Sequence, residues 1–181
     1  MLVANGVVYV GSYDGKLYAF NATTGEALSG WPVTLGGLIH SSPAVANGVV
    51  YVGSTNYKLY AVNAISGALL PGWPVTTGGY IYSSPAVANG AVYVASYDRR
   101  LYAYHATSGK LLWQGVTGGN ITSSPAVADG AIYICPKDKY LYAYNLDAGL
   151  YGAARKARRG AAAGPPDPAH LVPDYSLTPQ Q

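Results

Sequence analysis

The chain has 181 residues, enough for one domain, of which 50% are hydrophobic and only 10% charged. Its 18 Tyr against a single Phe, with 23 Gly and 12 Pro, describe strands and turns rather than helices. The formal charge of +3 comes mostly from residues 152–181 and offers nucleic acid no broad basic face; the single Cys135 excludes an intrachain disulfide.

In chain order, residues 2–4 read as a strand stub, Asn5-Gly6 as a tight turn, and Val7-Val8-Tyr9-Val10 as the next strand. The same phrase returns, now led by Ser-Ser-Pro, at residues 41–52, 83–94 and 123–134. Aligning Val3, Val45, Val87 and Val127 gives spacings of 42, 42 and 40 residues. A fixed period near 40 with strand-like content is the mark of a β-propeller blade. No leader sequence is visible, because the chain opens inside a repeat. No apolar run approaches the ~18 residues of a membrane-spanning helix.

One unit reads as four strands: 43–46, then 49–54 after the Asn47-Gly48 turn, then 58–63, then 68–75 after Ser66-Gly67. Asn5-Gly6, Asn47-Gly48, Asn89-Gly90 and Asp129-Gly130 hold one hairpin slot and supply the positive φ that two-residue hairpins need. Asp14-Gly15 holds the next slot, where Asn56-Tyr57, Asp98-Arg99 and Asp138-Lys139 have lost the glycine. The strands are apolar on both faces, so each sheet needs cover on both sides, and no helix pattern provides it. Sheets stacked around an axis cover one another, and Gly11, Ser12 and Ala19 suit the narrow part of such packing.

The segment Tyr102-Ala103-Tyr104-His105-Ala106-Thr107-Ser108-Gly109-Lys110-Leu111-Leu112-Trp113 resembles the tryptophan-docking motif of the pyrroloquinoline-quinone-like propeller family. Equivalent stretches end at Trp31 and Trp73, each displaced by a two-residue insertion, Ser29-Gly30 or Pro71-Gly72. The resemblance covers residues 2–151 and implies that Trp31, Trp73 and Trp113 pack between blades while Gly25, Gly67 and Gly109 accept the turn. Family propellers have roughly seven or eight blades, and about four are expected here: 2–36, 37–78, 79–119 and 120–151. The last blade is expected to lose its fourth strand and its Trp. Residues 152–181, basic at first and then rich in Ala, Gly and Pro, are expected to form a disordered tail.

Candidate chemistry is sparse. Quinone enzymes of the resembling family imply an acidic and amide calcium site and often an adjacent cysteine pair, and a lone Cys135 cannot make that pair. Asp14, Asp98 and Asp138 share one slot with Asn56, and such repetition points to turn chemistry rather than metal ligation. Cys135 falls in a strand pattern and reads as a buried, inert thiol. The Ser pairs at 41–42, 83–84 and 123–124 lack the His and Asp partners of a nucleophile. His105 replaces Asn21, Asn63 and Asn145; Arg155, Lys156, Arg158 and Arg159 read as solvated.

The repeats diverge around a shared Ile in the connection entering each blade: Leu38-Ile39-His40, Tyr80-Ile81-Tyr82 and Asn120-Ile121-Thr122. His40, Tyr80 and Tyr82 are therefore candidates for a binding rim, or else for fillers of gaps between blades. The reading is an all-β, partial propeller with no catalytic, cofactor or metal residues, acting as a scaffold or protein-interaction module. The alternatives are a fragment of a quinoprotein dehydrogenase, or a building block that self-assembles into a ring or filament. The expected partners are a protein or a second copy; family resemblance implies a location outside the cytoplasm.

Overall fold

Turn chemistry sets the local structure. Asn5, Asn47, Asn89 and Asp129 adopt φ of 49–50°, each followed by a glycine at 73–74°, the left-handed pair that closes a two-residue hairpin with the twist of its strands. The computed structural model describes residues 1–146 and the strand 154–158. The strands form four four-stranded antiparallel sheets, each a meander in chain order. Sheet one is β1 (Leu2–Ala4), β2 (Val7–Gly11), β3 (Lys16–Asn21) and β4 (Val33–Thr34). Sheet two is β5 (Ala44–Ala46), β6 (Val49–Gly53), β7 (Lys58–Asn63) and β8 (Val75–Thr76). Sheet three is β9 (Ala86–Ala88), β10 (Ala91–Ala95), β11 (Arg100–His105) and β12 (Leu111–Val116). Sheet four is β13 (Ala126–Ala128), β14 (Ala131–Ile134), β15 (Tyr140–Asn145) and β16 (Ala154–Arg158).

Strands apolar on both faces suit sheets two and three, each of which lies between two others. In sheet two, Val50, Val52, Tyr60 and Val62 pack on Tyr9, Leu17, Ala19 and Trp31 of sheet one. The alternate residues Tyr51, Leu59 and Ala61 pack on Val92, Val94, Tyr102 and Tyr104 of sheet three. Sheets three and four repeat the pattern through Tyr93, Leu101 and Ala103 against Ile132, Ile134, Tyr142 and Tyr144. Each fully buried Val, Leu or Ile contributes on the order of 1.5–3 kcal/mol, so the core lies between blades rather than within them. The small residues have the role expected of them: Ala19 is fully buried, and a Cβ on Gly11 would lie 2.2 Å from Ile39 Cγ2.

Most polar groups between blades are satisfied in repeat, whereas Trp73 Nε1 is buried without a hydrogen-bond partner. Tyr9 and Tyr51 donate to the carbonyls of Ala64 and Ala106 in the following blade, each at 3.1 Å. Ser41, Ser83 and Ser123 each bond both the N–H and the C=O of one residue, namely Gly53 at the end of β6, Ala95 at the end of β10 and Cys135 just after β14. The second serines link blades: Ser42 N–H donates to Ser84 Oγ, and Ser84 N–H to Ser124 Oγ, both at 2.9 Å. The Ser-Ser-Pro leader is thus a structural fastener.

Three expectations need correction. The fourth strand expected over 68–75 is broken: Leu69 bridges Val62, the chain turns at Gly72 with φ 82°, and the sheet resumes at β8. The two-residue insertion causes this, since sheet three lacks it and β12 runs on through six residues. The last blade does not lose its fourth strand, because β16 pairs with β15 from Tyr144↔Ala154 to Tyr140↔Arg158. An edge strand is held by main-chain bonds, which the small, basic sequence supplies as well as an apolar one. Residues 152–153 and 159–181, the remainder of the expected tail, lie outside the described residues. Cys135 is half-buried rather than buried, because no described blade covers its face of sheet four.

Uncovered faces mark both ends of the arc. Val8, Val10, Tyr18 and Phe20 occupy the positions of Val50, Val52, Tyr60 and Val62 yet are only half-buried, and so are Tyr133, Leu141 and Ala143 at the other end.

Backbone geometry yields paired stability predictions. A Cβ at Gly72 would lie 2.2 Å from the Ser108 carbonyl oxygen at φ 82°, so Gly72→Ala should cost about 1–3 kcal/mol. Arg99 is held at φ 71° without being glycine. There Arg99→Gly should gain about 0.5–1 kcal/mol, as relief of left-handed strain outweighs the added freedom of the unfolded chain. Thermal melts should move down by several degrees for the first and up by roughly 2 °C for the second.

Candidate functional site

The docking residues of the repeat sit where consecutive blades meet. Trp31 and Trp73 are buried, and Trp31 Nε1 donates to the Ile65 carbonyl of the next blade at 3.3 Å. Trp113 is half-buried and stacks on Tyr144 with ring centroids 5.6 Å apart. A Cβ on Gly67 would lie 2.9 Å from the Gly30 carbonyl oxygen, and one on Gly109 would lie 2.5 Å from that of Gly72. Gly25, with no preceding blade described, meets nothing within 4 Å.

The acidic slot does more than shape a turn. Asp98 Oδ1 accepts the Arg100 N–H at 3.0 Å, while Oδ2 accepts the Tyr102 hydroxyl at 2.5 Å and the Gly78 N–H of the preceding blade at 2.8 Å. Asp138 repeats this with Tyr140, Tyr142 and Gly118 at 3.1, 2.6 and 3.0 Å. Asn56 reverses polarity: its Nδ2 donates to the Leu35 and Gly36 carbonyls, and the Tyr60 hydroxyl also bonds Leu35 O. These carboxylates staple one blade to the last, a role whose trace in the sequence is the acid or amide four residues before a Tyr. The bond from Tyr18 holds the Asp14 carboxyl below the usual range. Burial, and then the Asp98 bond, push the Tyr102 phenol up; burial pushes Tyr104 up further.

Divergent residues collect at one rim. Each connecting Ile donates its N–H to the first serine of the preceding blade's β2–β3-type hairpin, as Ile39 to Ser12 O at 3.2 Å and Ile81 to Ser54 O at 3.3 Å. The residue before that Ile accepts from the next blade's hairpin: Thr55 to Leu38 O at 3.0 Å, Tyr97 to Tyr80 O at 2.9 Å and Lys137 to Asn120 O at 3.0 Å. Ile39, Ile81 and Ile121 are buried anchors, at 2%, 0% and 0% exposure. Their flanking residues therefore turn outward beside the hairpin tips.

An open cleft of about 590 Å³ results, lined by His40, Tyr80, Tyr82, Tyr97, Thr122 and Lys137. His40 meets Tyr82 edge-on at 5.1 Å between centroids; Tyr82 meets Tyr97 at 5.9 Å and Tyr80 at 5.8 Å. Lys137 Nζ stands 5.4 Å over the Tyr97 ring, a cation–π contact. Tyr13 extends the row, its hydroxyl sharing a 3.0 Å hydrogen bond with His40 Nδ1, and Tyr57 flanks Tyr80 at 5.0 Å. The structure thus brings His40, Tyr80 and Tyr82 together in one cleft. Sequence reasoning placed Thr122 among the divergent connections without choosing it for the rim, and missed Tyr97 and Lys137. Their signal is the same divergence, Tyr13, Thr55, Tyr97 and Lys137 sharing one slot, but the slot lies far along the chain from the Ile it neighbours in space.

Four blades of two-faced antiparallel strands, fastened by Trp, Ser and Asp in repeat, define a β-propeller segment. The chain belongs to the pyrroloquinoline-quinone-like repeat family described as outer membrane protein assembly factor BamB, whose model matches residues 1–70 and 71–151. No curated protein matches it in sequence. In structure it is similar to BamB from Moraxella catarrhalis, with TM-score 0.70 and 24% identity over 80% of this chain and 44% of that one. It is also similar to the quinohemoprotein alcohol dehydrogenase ADHIIG from Pseudomonas putida HK5, with TM-score 0.71 and 21% identity over 83% of this chain and 32% of that one. The computationally designed Ika4 protein matches at TM-score 0.67 and 15% identity, over 80% of this chain and 88% of that one. The chain therefore spans less than half the length of the two natural propellers. Identities this low carry the fold alone.

A calcium–quinone centre needs free acidic and amide donors gathered at one point. Among the described residues no three of His, Cys, Asp and Glu converge to hold a metal. The blade acids Asp98 and Asp138 are committed to their staples, so the described residues do not fit that group.

The staple makes a differential prediction. Asp98→Ala strands the Tyr102 hydroxyl and the Gly78 N–H, at a cost of about 1–3 kcal/mol. Asp14→Ala removes the same carboxylate where no preceding blade is described. Melting curves should show a clearly larger drop for Asp98→Ala; equal drops would mean the staple is only a turn.

Proposed function

We propose that this protein is a non-catalytic propeller module that binds a protein partner through the aromatic cleft on its rim. The observation that carries this reading is the convergence of divergent positions: blades nearly identical in core and turns differ most at the slots that line one cleft. Repeated positions maintain the fold, and a specific partner requires an asymmetric surface. Tyr suits it, giving rigid contact area with a polar tip. The openness of the cleft suits a segment of a larger partner better than an enclosed cofactor. The family description, an outer membrane protein assembly factor, supports a location outside the cytoplasm and a role in assembly. Among the described residues no helix is long and apolar enough to cross a membrane.

A second reading has its own observation. The half-buried end faces repeat the residues of the internal interfaces, so a second copy could cover them and extend the arc toward a ring. The dehydrogenase-fragment reading rests on a fold likeness that enzyme and scaffold share.

Tyr80→Ala with Tyr82→Ala should cut partner capture from an envelope extract by more than about tenfold while the melting temperature stays within roughly 2 °C. Undiminished capture would move the partner site elsewhere. Quinone with calcium should leave the melting temperature unchanged, and a rise of several degrees would favour the dehydrogenase reading.

A further inference from the structure

We propose that the rim cleft takes an acidic polypeptide segment, which seats an apolar side chain among the tyrosines and sets carboxylates against the cations of the hairpin tips. The proposal rests on the reading of the cleft as a protein-binding surface and adds the chemistry of the segment it holds.

The blade path sorts charge between the two rims. In every sheet the second and third strands meet in a hairpin at the rim of the cleft, at residues 12–16, 54–58, 96–100 and 136–140. The other turns within each blade lie at the far rim. Residues 1–146 contain seven lysines and arginines. Six of them, Lys16, Lys58, Arg99, Arg100, Lys137 and Lys139, belong to the hairpins of the cleft rim. The seventh, Lys110, lies at the far rim with Glu26 and Asp129. Among residues 1–146 the cleft rim thus holds six cations against three carboxylates, and the far rim one against two. These cations come from four separate blades, so only the fold gathers them.

The carboxylates on the cleft rim are turned to the fold. Asp14, Asp98 and Asp138 each accept a Tyr hydroxyl four residues on, at 2.6, 2.5 and 2.6 Å. Asp98 and Asp138 also hold a Gly N–H of the preceding blade. Arg99, Arg100, Lys137 and Lys139, by contrast, are exposed. Lys137 joins the charged tips to the aromatic floor, since its Nζ stands 5.4 Å over the Tyr97 ring, and Arg99 follows Tyr97 by two residues.

The cleft itself suits the same ligand. None of its six lining residues is acidic, and it offers Tyr and Thr hydroxyls with the Lys137 ammonium, all able to donate to a carboxylate. The rings of His40, Tyr80, Tyr82 and Tyr97 meet at 50–78°. Angled faces grip an apolar side chain and give successive bases no platform to stack on. A concave space of about 590 Å³ matches a projecting side chain better than a flat layer of lipid headgroups. The exposed cations steer such a segment in and set its register, and salt screens them.

The test follows the anisotropy of a fluorescein-labelled peptide, Gly-Asp-Asp-Phe-Asp-Asp-Gly, on the full chain. It should bind at least about tenfold more tightly than Gly-Lys-Lys-Phe-Lys-Lys-Gly, and about fivefold more weakly at high than at low salt. Replacing its Phe by Gly should cost about fivefold. Lys137→Glu and Arg99→Glu should each cost about fivefold, whereas Lys110→Glu at the far rim should cost nothing, with all three melting within roughly 2 °C of the unsubstituted chain. Equal binding of the acidic and basic peptides would overturn the acidic chemistry, while loss of both with Tyr80→Ala and Tyr82→Ala would keep the cleft as a protein site. Acidic-peptide binding indifferent to that tyrosine pair would take the segment out of the cleft and overturn the proposal. Binding to vesicles of equal phosphatidylglycerol and phosphatidylcholine, with none to the acidic peptide, would assign the rim to a membrane and overturn it as well.

Discussion

Everything in this molecule depends on strands that are apolar on both faces. A strand such as Val49-Val50-Tyr51-Val52 sends alternate side chains to opposite neighbours, Val50 and Val52 to sheet one and Tyr51 to sheet three. No blade owns a core; each core is shared by two. The chain is therefore quasi-one-dimensional, each unit stabilised by the units on either side. The same rule explains the half-buried residues at both ends, where identical side chains lack one of their two partners.

Sharing cores in this way fixes the polar groups too. Phenols reach across to the carbonyls of the next blade, serines link blade to blade, and in sheets three and four a hairpin carboxylate holds the Gly N–H of the blade before. These devices recur at equivalent positions because they answer the same geometric need each time. What remains unrepeated is free of that need, and it gathers at the rim, anchored by one buried Ile per connection. An aromatic cleft with a single lysine results from the few positions the fold leaves open.

Much of this was legible in the residues. The period of 42, 42 and 40, the Asn-Gly turns and the two-faced strands led to blades, and divergence around the shared Ile led to His40, Tyr80 and Tyr82. The rest was hidden for physical reasons. Lys137 and Tyr97 neighbour that Ile only across a blade boundary. The staple of Asp98 looks like a turn residue until the preceding Gly78 is brought beside it. Strand β16 has no strand signature, since an edge strand can be held by main-chain bonds alone. The break in the fourth strands follows from an insertion whose effect depends on the glycine at its end, Gly30 or Gly72.

Amide hydrogen exchange on the full chain, at a dilution where it sediments as a single copy, tests the shared-core account most directly. The account predicts graded protection: β6, β7, β10 and β11, covered on both faces, exchange most slowly, while β2, β3, β14 and β15 exchange faster. Equal protection across all four sheets would contradict it, because each blade would then be stable without a neighbour on both sides.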